Sequence, residues 1–168
     1  MTSQIARRRE EMSQPESAAL HYRVTAWWSS GKAGLAKSDS APNAIHFTAP
    51  PEFGGLEGRW TPEDLLLGAV ASCYTTTFRA LADCSQLQYL DLGVEVEGTV
   101  CKAESGYSFS EIIIRSKLTI SNPEEESRSM RLLHKAKAVC LVARALSIEA
   151  VFEPIVSVQG STSARGTI

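Results

Sequence analysis

The chain has 168 residues and a net charge of −2, which argues against a nucleic-acid-binding protein, because such a protein is usually clearly basic with clustered Lys and Arg. With 43% hydrophobic and 21% charged residues it has enough apolar side chains for a core. We expect no membrane span, because no apolar run approaches the ~18–20 residues that a span needs. Residues 1–17 lack the apolar segment of a secretory signal. We expect a cytoplasmic protein with a flexible arm at 1–17, one domain at 18–159 and a flexible tail at 160–168.

The first part of this domain is predicted to be β-structure. Residues 20–28, "LHYRVTAWW", are rich in strand-forming side chains. The turn "SSGKAG" separates them from "LAKSD" and "AIHFTAP", which predict two further strands of a meander. Residues 50–60 hold two Pro and three Gly, a composition that indicates a loop.

Residues 61–85 predict a long helix. Thr61 suits the N-cap, Pro62 the first helical position and Asp64 the acidic member of a capping box. Apolar residues recur at helical spacing and predict the buried stripe. They are Leu65, Leu66, Ala69, Val70, Cys73, Ala80, Leu81 and Cys84.

The second half predicts a hairpin, a helix and a last strand. Alternating residues at 89–101 and 110–120 indicate the hairpin. The following helix is capped by Asn122 and carries Cys140, and "IEAVFEPIVSVQ" predicts a strand broken by Pro154. The order βββ-α-ββ-α-β has no βαβ regularity, so it predicts an α+β fold with mainly antiparallel sheet.

Four cysteines, at positions 73, 84, 101 and 140, are candidate reactive groups. Their spacing fits neither a CxxC pair nor a zinc site, so we expect no metal. Because free cysteine often packs as a small hydrophobe, the residues alone favour core packing over reactivity for Cys73 and Cys140. Cys84 lies about 16 Å along the helix from Cys73 and about 20° around it, so these two cannot bridge. Cys101, in a strand, is predicted to be structural.

A reactive thiolate needs a positive neighbour or a helix N-terminus. Cys73 lies about three turns inside its helix, where the helix dipole gives little help, so a cation must come from elsewhere. Lys32 in the "SSGKAG" turn and Arg59 just before the helix are the candidates. A Cys–His hydrolase is disfavoured, because His134 lies about 9 Å and about 240° from Cys140 on one helix and no orienting acid is evident.

Glu63 is a further candidate, in the first turn of the same helix. Stabilisation of the helix dipole, worth about 0.3–1 kcal/mol, is enough to explain an acid there. Ten residues separate it from Cys73, which is about 15 Å along a helix and too far for direct contact. If Glu63 serves Cys73, it must do so from the antiparallel helix of a second copy in a two-fold dimer.

Two stretches resemble the OsmC/Ohr family, the osmotically inducible and organic hydroperoxide resistance proteins. "PPEFGG" followed by "TPEDLLLGAVASC" resembles the family's Pro-Glu-x-Leu helix with its first cysteine, and "HKAKAVCLVARAL" resembles the helix with its second. The resemblance covers roughly residues 20–158. It implies an OsmC-like α+β fold, with mainly antiparallel sheets around two long central helices, in an intertwined homodimer.

The resemblance also implies a cysteine-based peroxidase that favours organic hydroperoxides. Cys73 matches the peroxidatic cysteine, Cys140 the resolving cysteine that forms a disulfide with it, and Glu63 the acid that holds a cation near the thiol. No cofactor or metal is implied, and the expected reductant is an external thiol such as a lipoyl-type dithiol.

This chain departs from the family pattern at two positions. Lys32 stands where the peroxidase branches have Arg, and lysine lacks the planar fork that can hold a carboxylate and a thiolate together. Either Lys32 acts as a point charge or Arg59 takes over. Leu141 follows Cys140 where much of the family has Pro. The alternative is a binding or stress-related protein of the same fold with little peroxidase turnover.

Overall fold

The computed structural model describes residues 19–104 and 106–160, and the chain divides into two compact units between Arg59 and Trp60. The arm predicted at 1–17 and residues 161–168 of the predicted tail lie outside the described residues. The single domain expected over 18–159 stays a prediction, and each unit is described by itself.

The first unit is the predicted three-stranded meander. Its strands, β1 (Val24–Ser30), β2 (Ala33–Ser38) and β3 (Ile45–Phe47), pair antiparallel in the order β1-β2-β3. Gly34 on β2 lies under the ring of Phe47, and a Cβ at this position would overlap that ring. Glycine therefore lets an aromatic ring lie flat across the sheet.

The second unit begins with the long helix α1 (Pro62–Cys84). The Asp64 amide donates to Thr61 Oγ1 at 3.2 Å, and the Thr61 amide donates to Asp64 Oδ2 at 2.9 Å. These reciprocal bonds satisfy amides that have no partner within the helix, so the predicted capping box fixes where α1 starts.

The buried stripe predicted for α1 is confirmed in part, since Val70 is fully buried and Cys73 and Leu81 pack against the core. The fully buried positions are Val70, Tyr74, Phe78 and Ala82. Ala80 and Cys84, both expected in the core, are exposed. The prediction left out Tyr74 and Phe78, although aromatic rings bury the largest apolar surfaces and so decide which face turns inward.

By length and composition α1 also meets the criterion for a membrane-crossing helix, which the sequence analysis did not expect. The core helix of a soluble protein meets the same criterion. Since α1 packs one face against the apolar core of its own unit, the feature is a weak indication of a membrane segment.

The sheet of the second unit consists of β4 (Asp91–Ala103), β5 (Gly106–Ile120) and β6 (Val151–Val158). β4 and β5 form the predicted antiparallel hairpin, and β6 pairs parallel with the other side of β5. Pro154 does not break β6, contrary to the prediction, and it lies opposite Ser116 in the register. Proline is tolerated on an outer strand, where its missing N–H can face away from the ladder.

The second helix is interrupted at Cys140. Asn122 caps a 3₁₀ turn that leads into α2 (Glu126–Val139), and the short α3 (Leu141–Arg144) follows. Cys140 between them has extended backbone angles, φ −62° and ψ 113°. The sequence predicted one continuous helix carrying Cys140, so that prediction was wrong at this residue.

The hydroxyl of Tyr74 joins α1 to β5 and α2. It lies 3.2 Å from Ser116 Oγ, to which it donates, and 3.3 Å from the carbonyl oxygen of Leu133. Burial raises the pKa of Tyr74 to about 12. The neutral phenol is therefore part of the packed core.

Tyr74→Phe is expected to lower the free energy of unfolding by about 1–2 kcal/mol, because buried Ser116 loses this partner. Urea unfolding followed by circular dichroism measures the change. Tyr22→Phe is the matched control, since Tyr22 is 85% exposed, and it should change stability by less than about 0.5 kcal/mol. Equal losses in the two variants would contradict the assignment.

The stabilisation by Tyr74 should also fade in alkali. An unfolded tyrosine ionises near pH ~10, whereas burial raises the pKa of folded Tyr74 to about 12. A raised folded pKa contributes stability below the unfolded value that is lost as the pH rises through the folded value. The difference between the wild type and Tyr74→Phe should therefore shrink above pH ~10.

Candidate active site

Cys73 on α1 and Cys140 at the α2–α3 break lie side by side. The Cys140 thiol donates a hydrogen bond to the sulfur of Cys73. Cys73 is half-buried and Cys140 is fully buried. The two thiols are therefore placed to react with each other, and Cys73 is the more accessible to a small molecule.

The break at Cys140 directs backbone amides at the same sulfur. The Val142 amide donates to Cys73 Sγ at 3.5 Å, and the Leu141 amide donates to it as well. Both are among the first amides of α3, which have no acceptor inside the helix. Hydrogen-bond donors favour the ionised form of an acid, so they stabilise a thiolate.

A third kind of donor comes from α1 itself. Thr77 lies one turn beyond Cys73, and its hydroxyl donates to the Cys73 sulfur. Thr77 was not among the predicted site residues, although residues at i and i+4 share a helix face and its spacing from Cys73 could have indicated it. It also missed the amides of Leu141 and Val142, because their direction depends on α2 ending at Val139.

The two thiols have opposite pKa shifts. Burial alone raises the pKa of Cys73, but its hydrogen-bond donors outweigh burial, and the pKa is lowered. Burial raises the pKa of Cys140, and the charge of a neighbouring Cys73 thiolate raises it further, against a smaller opposing effect of the Ala143 amide. Of the two thiols, Cys73 is therefore the one that ionises more readily.

Glu63 lies in the first turn of α1. It is half-buried, and its Oε2 is buried with no hydrogen-bond partner among the residues that the structure describes. A buried carboxylate oxygen without a partner is costly. Along one helix Glu63 remains about 15 Å from Cys73, so a single α1 does not bring them together.

Lys32 and Arg59 belong to the first unit. The carbonyl of Lys32, in the turn between β1 and β2, accepts a 2.7 Å hydrogen bond from fully buried Thr48, while the Lys32 side chain is exposed. Arg59 is also exposed and follows Gly58, which has φ +67°. Which of the two cations serves Cys73 stays a prediction.

The other cysteines and His134 are not among the contacts of Cys73 and Cys140 described above. Cys84 is exposed at the end of α1, so its prediction as a core residue was wrong, and Cys101 is exposed on β4 beside Ser110 Oγ at 3.3 Å. The His134 ring packs edge-on against Phe152, with centroids 5.3 Å apart. Within residues 19–104 and 106–160, no group of three or more His, Cys, Asp or Glu side chains is arranged to hold a metal ion.

Known proteins share this sequence pattern and this fold. The sequence model of a family described as OsmC-like protein matches residues 55–154. The chain is 26% identical over 145 residues to the uncharacterised Bacillus subtilis (strain 168) protein YmaD, which covers 83% of this chain and 97% of that protein.

Two solved structures are similar to this chain in fold. An OsmC-like protein of unknown function from Vibrio cholerae has a TM-score of 0.73 at 18% identity, over 82% of this chain and 100% of that one. An organic hydroperoxide resistance protein from Elizabethkingia anophelis has a TM-score of 0.67 at 19% identity, over 84% and 99%. The predicted OsmC-like α+β fold is confirmed.

The opposite pKa shifts predict that Cys73 is alkylated at lower pH than an unfolded cysteine in the same sequence. Trypsin isolates Cys73 on the peptide 60–79 and Cys140 on 138–144, so mass spectrometry can follow iodoacetamide labelling of each in the intact protein. The midpoint of Cys73 labelling should lie below that of a synthetic 60–79 peptide, and the Cys140 midpoint should lie above that of a synthetic 138–144 peptide. Identical midpoints in protein and peptide would show that the donors do not act.

Proposed function

Because the chain belongs to the OsmC-like protein family, we propose that it is a thiol-dependent peroxidase that reduces organic hydroperoxides through Cys73 and Cys140. Several proteins of this fold are named organic hydroperoxide resistance proteins. The observation that carries the proposal is the hydrogen-bonded thiol pair with its pKa values shifted in opposite directions. Such a pair supplies a nucleophile and a second thiol that can form a disulfide with the oxidised nucleophile.

In the first step the Cys73 thiolate attacks the terminal oxygen of R–O–O–H. A sulfur–oxygen bond forms and the O–O bond breaks, so Cys73 becomes a sulfenic acid and the leaving alkoxide takes a proton from water to become the alcohol. The donors that lower the pKa of Cys73, the Val142 amide first among them, favour the ionised form that attacks.

In the second step the Cys140 sulfur attacks the sulfenic sulfur of Cys73. The S–S bond forms, and the departing hydroxide leaves as water with the proton of Cys140. A hydrogen bond from the Cys140 thiol is one of the causes that lower the pKa of Cys73, which supports a bridge between these two cysteines. Two thiols of an external reductant, of the lipoyl dithiol type, then restore both cysteines and are themselves oxidised to a disulfide.

The proposal includes a homodimer in which Glu63 acts across the interface. Antiparallel packing of two α1 helices would place Glu63 of one copy beside Cys73 of the other, where Lys32 or Arg59 supplies the cation. The unpartnered Oε2 of Glu63 supports this arrangement. So does β1, which is exposed along its whole length and carries Trp27 and Trp28, since large exposed apolar surfaces commonly mark interfaces.

Disulfide mapping tests the peroxidase directly. One equivalent of cumene hydroperoxide added to the reduced protein should remove two thiols within seconds and yield cumyl alcohol. Trypsin should then release the peptides 60–79 and 138–144 as a disulfide-linked pair. Surviving thiols, or a bridge through any other cysteine, would sink the proposal.

Cysteine variants separate the two roles. Cys140→Ser should still consume one equivalent of peroxide and stop at a Cys73 sulfenic acid that dimedone traps, whereas Cys73→Ser should consume none. Cys101→Ser is the matched control, because Cys101 is exposed and belongs to neither linked peptide. Loss of turnover in Cys101→Ser would contradict the assignment.

Mixed dimers test whether Glu63 acts between subunits. Glu63→Gln should reduce turnover at least tenfold, and Cys73→Ser should abolish it. A heterodimer of these two variants unites an intact Cys73 with an intact Glu63 from the other copy, so it should recover about half of the wild-type activity. A monomeric protein, or a heterodimer no better than the Glu63→Gln homodimer, rejects the interface role of Glu63.

A further inference from the structure

Side chains of β1 hold the turn that carries Lys32. The indole Nε1 of Trp28 donates a hydrogen bond to the carbonyl oxygen of Gly31 at 2.8 Å. The hydroxyl of Ser29 donates to the carbonyl oxygen of Ala33 at 3.0 Å. The backbone is therefore held on both sides of Lys32.

The carbonyl group of Lys32 itself is held by Thr48. The Thr48 hydroxyl donates to the Lys32 carbonyl oxygen at 2.7 Å, and its residue is fully buried. β2 and β3 pair Gly34 with Phe47, so the antiparallel register brings the next residue, Thr48, beside the start of β2. A buried hydroxyl with a short bond to one carbonyl fixes the turn at that point.

The same hydroxyl also holds the loop that follows β3. The amide of Leu56 donates to Thr48 Oγ1 at 3.2 Å. This loop folds back closely on itself, since a Cβ at Gly55 would overlap the carbonyl oxygen of Ala49. One buried hydroxyl therefore joins the two segments that carry the candidate cations.

The two candidate cations differ in how their own backbone is held. The Lys32 carbonyl and those on either side of it each accept a hydrogen bond from a side chain. Arg59 follows Gly58, which has φ +67°, and no side chain among the described residues donates to the carbonyl of either one. A cation on a fixed backbone loses less freedom when it binds an anion, which favours Lys32.

We propose that Thr48 is a positioning residue: its hydroxyl fixes the β1–β2 turn, and the fixed turn makes Lys32, rather than Arg59, the cation that acts on Cys73. This role rests on the proposed function, which assigns a cation to Cys73. The effect of Thr48 on the turn itself does not depend on that function.

Thr48→Val keeps the shape of the side chain and removes both hydrogen bonds. Hydrogen–deuterium exchange of the intact protein, read by mass spectrometry on peptides from the β1–β2 turn and from residues 49–58, should be at least about threefold faster than in the wild type. Thr48→Ser restores the hydroxyl and should return exchange to the wild-type rate.

A double-mutant cycle tests whether Thr48 acts through Lys32. Iodoacetamide labelling of Cys73 is followed on the tryptic peptide 60–79. Lys32→Met removes the charge and should slow labelling at pH 7 about tenfold, the effect of a thiol pKa raised by about one unit. Thr48→Val should slow labelling about threefold beside an intact Lys32 and should have no effect in the Lys32→Met background.

The same cycle with Arg59→Met decides between the two cations. This variant loses a tryptic site, so Cys73 is read on the peptide 38–79. Thr48→Val should still slow labelling about threefold in this background, because Lys32 is intact. If the effect of Thr48→Val disappears with Arg59 rather than with Lys32, the assignment of Lys32 is overturned.

Thr75→Val is the matched control. The Thr75 hydroxyl also donates to a backbone carbonyl, that of Ala71 at 2.8 Å, but it lies on α1. Exchange in the turn and labelling of Cys73 should both stay at wild-type rates, and circular dichroism should show that every variant is folded. Equal slowing in Thr75→Val, or wild-type labelling in Thr48→Val, overturns the role of Thr48.

Hydroperoxide turnover is measured separately, so the two proposals fail independently. If the wild type reduces no cumene hydroperoxide but the labelling effect of Thr48→Val depends on Lys32, the positioning role stands and the peroxidase proposal falls. If turnover is normal and neither Lys32→Met nor Thr48→Val slows labelling, the peroxidase proposal stands and the positioning role falls.

Discussion

The extended backbone at Cys140 is the constraint on which the candidate site depends. In a continuous helix the amides of Leu141 and Val142 would bond to carbonyls four residues earlier and could not reach another side chain. Because α2 ends at Val139 and α3 starts afresh at Leu141, both amides are free to meet the sulfur of Cys73. The break at Cys140 therefore sets the position of the Cys140 thiol and frees the amides of Leu141 and Val142 to donate to Cys73.

These donors are neutral, and this matters for how the thiolate is stabilised. Surface charges interact through solvent and lose strength as salt is added, whereas hydrogen bonds to a half-buried sulfur are screened much less. Burial opposes ionisation of Cys73, and the donors outweigh it. The proposed cation, Lys32 or Arg59, would therefore supply only part of the stabilisation of the thiolate, because backbone amides also lower the pKa of Cys73.

Local signals in the sequence correctly predicted the structural features that depend on residues close together along the chain. Thr61 and Asp64 fixed the start of α1, and strand-forming runs gave the meander and the hairpin. The errors arose where distant contacts decide. The burial of Tyr74 decides which face of α1 packs into the core. Pro154 is tolerated because β6 is an outer strand that pairs only with β5 in the described sheet. The pairing of Cys73 with Cys140 came from a family resemblance, because no spacing rule joins residues on two separate helices.

The proposed chemistry has two parts: one lies within a single chain, and the other needs Glu63 of a second copy. Both thiols and the donors to Cys73 belong to the second unit of one chain, so ionisation of the thiol needs no second molecule. Glu63 is half-buried with an oxygen that no described residue satisfies, and the helix dipole compensates a charge there by only about 0.3–1 kcal/mol. Its charge has a clear use only beside a cation. In the proposed dimer, donors within one chain lower the pKa of the Cys73 nucleophile, and Glu63 of the second copy holds the cation near it.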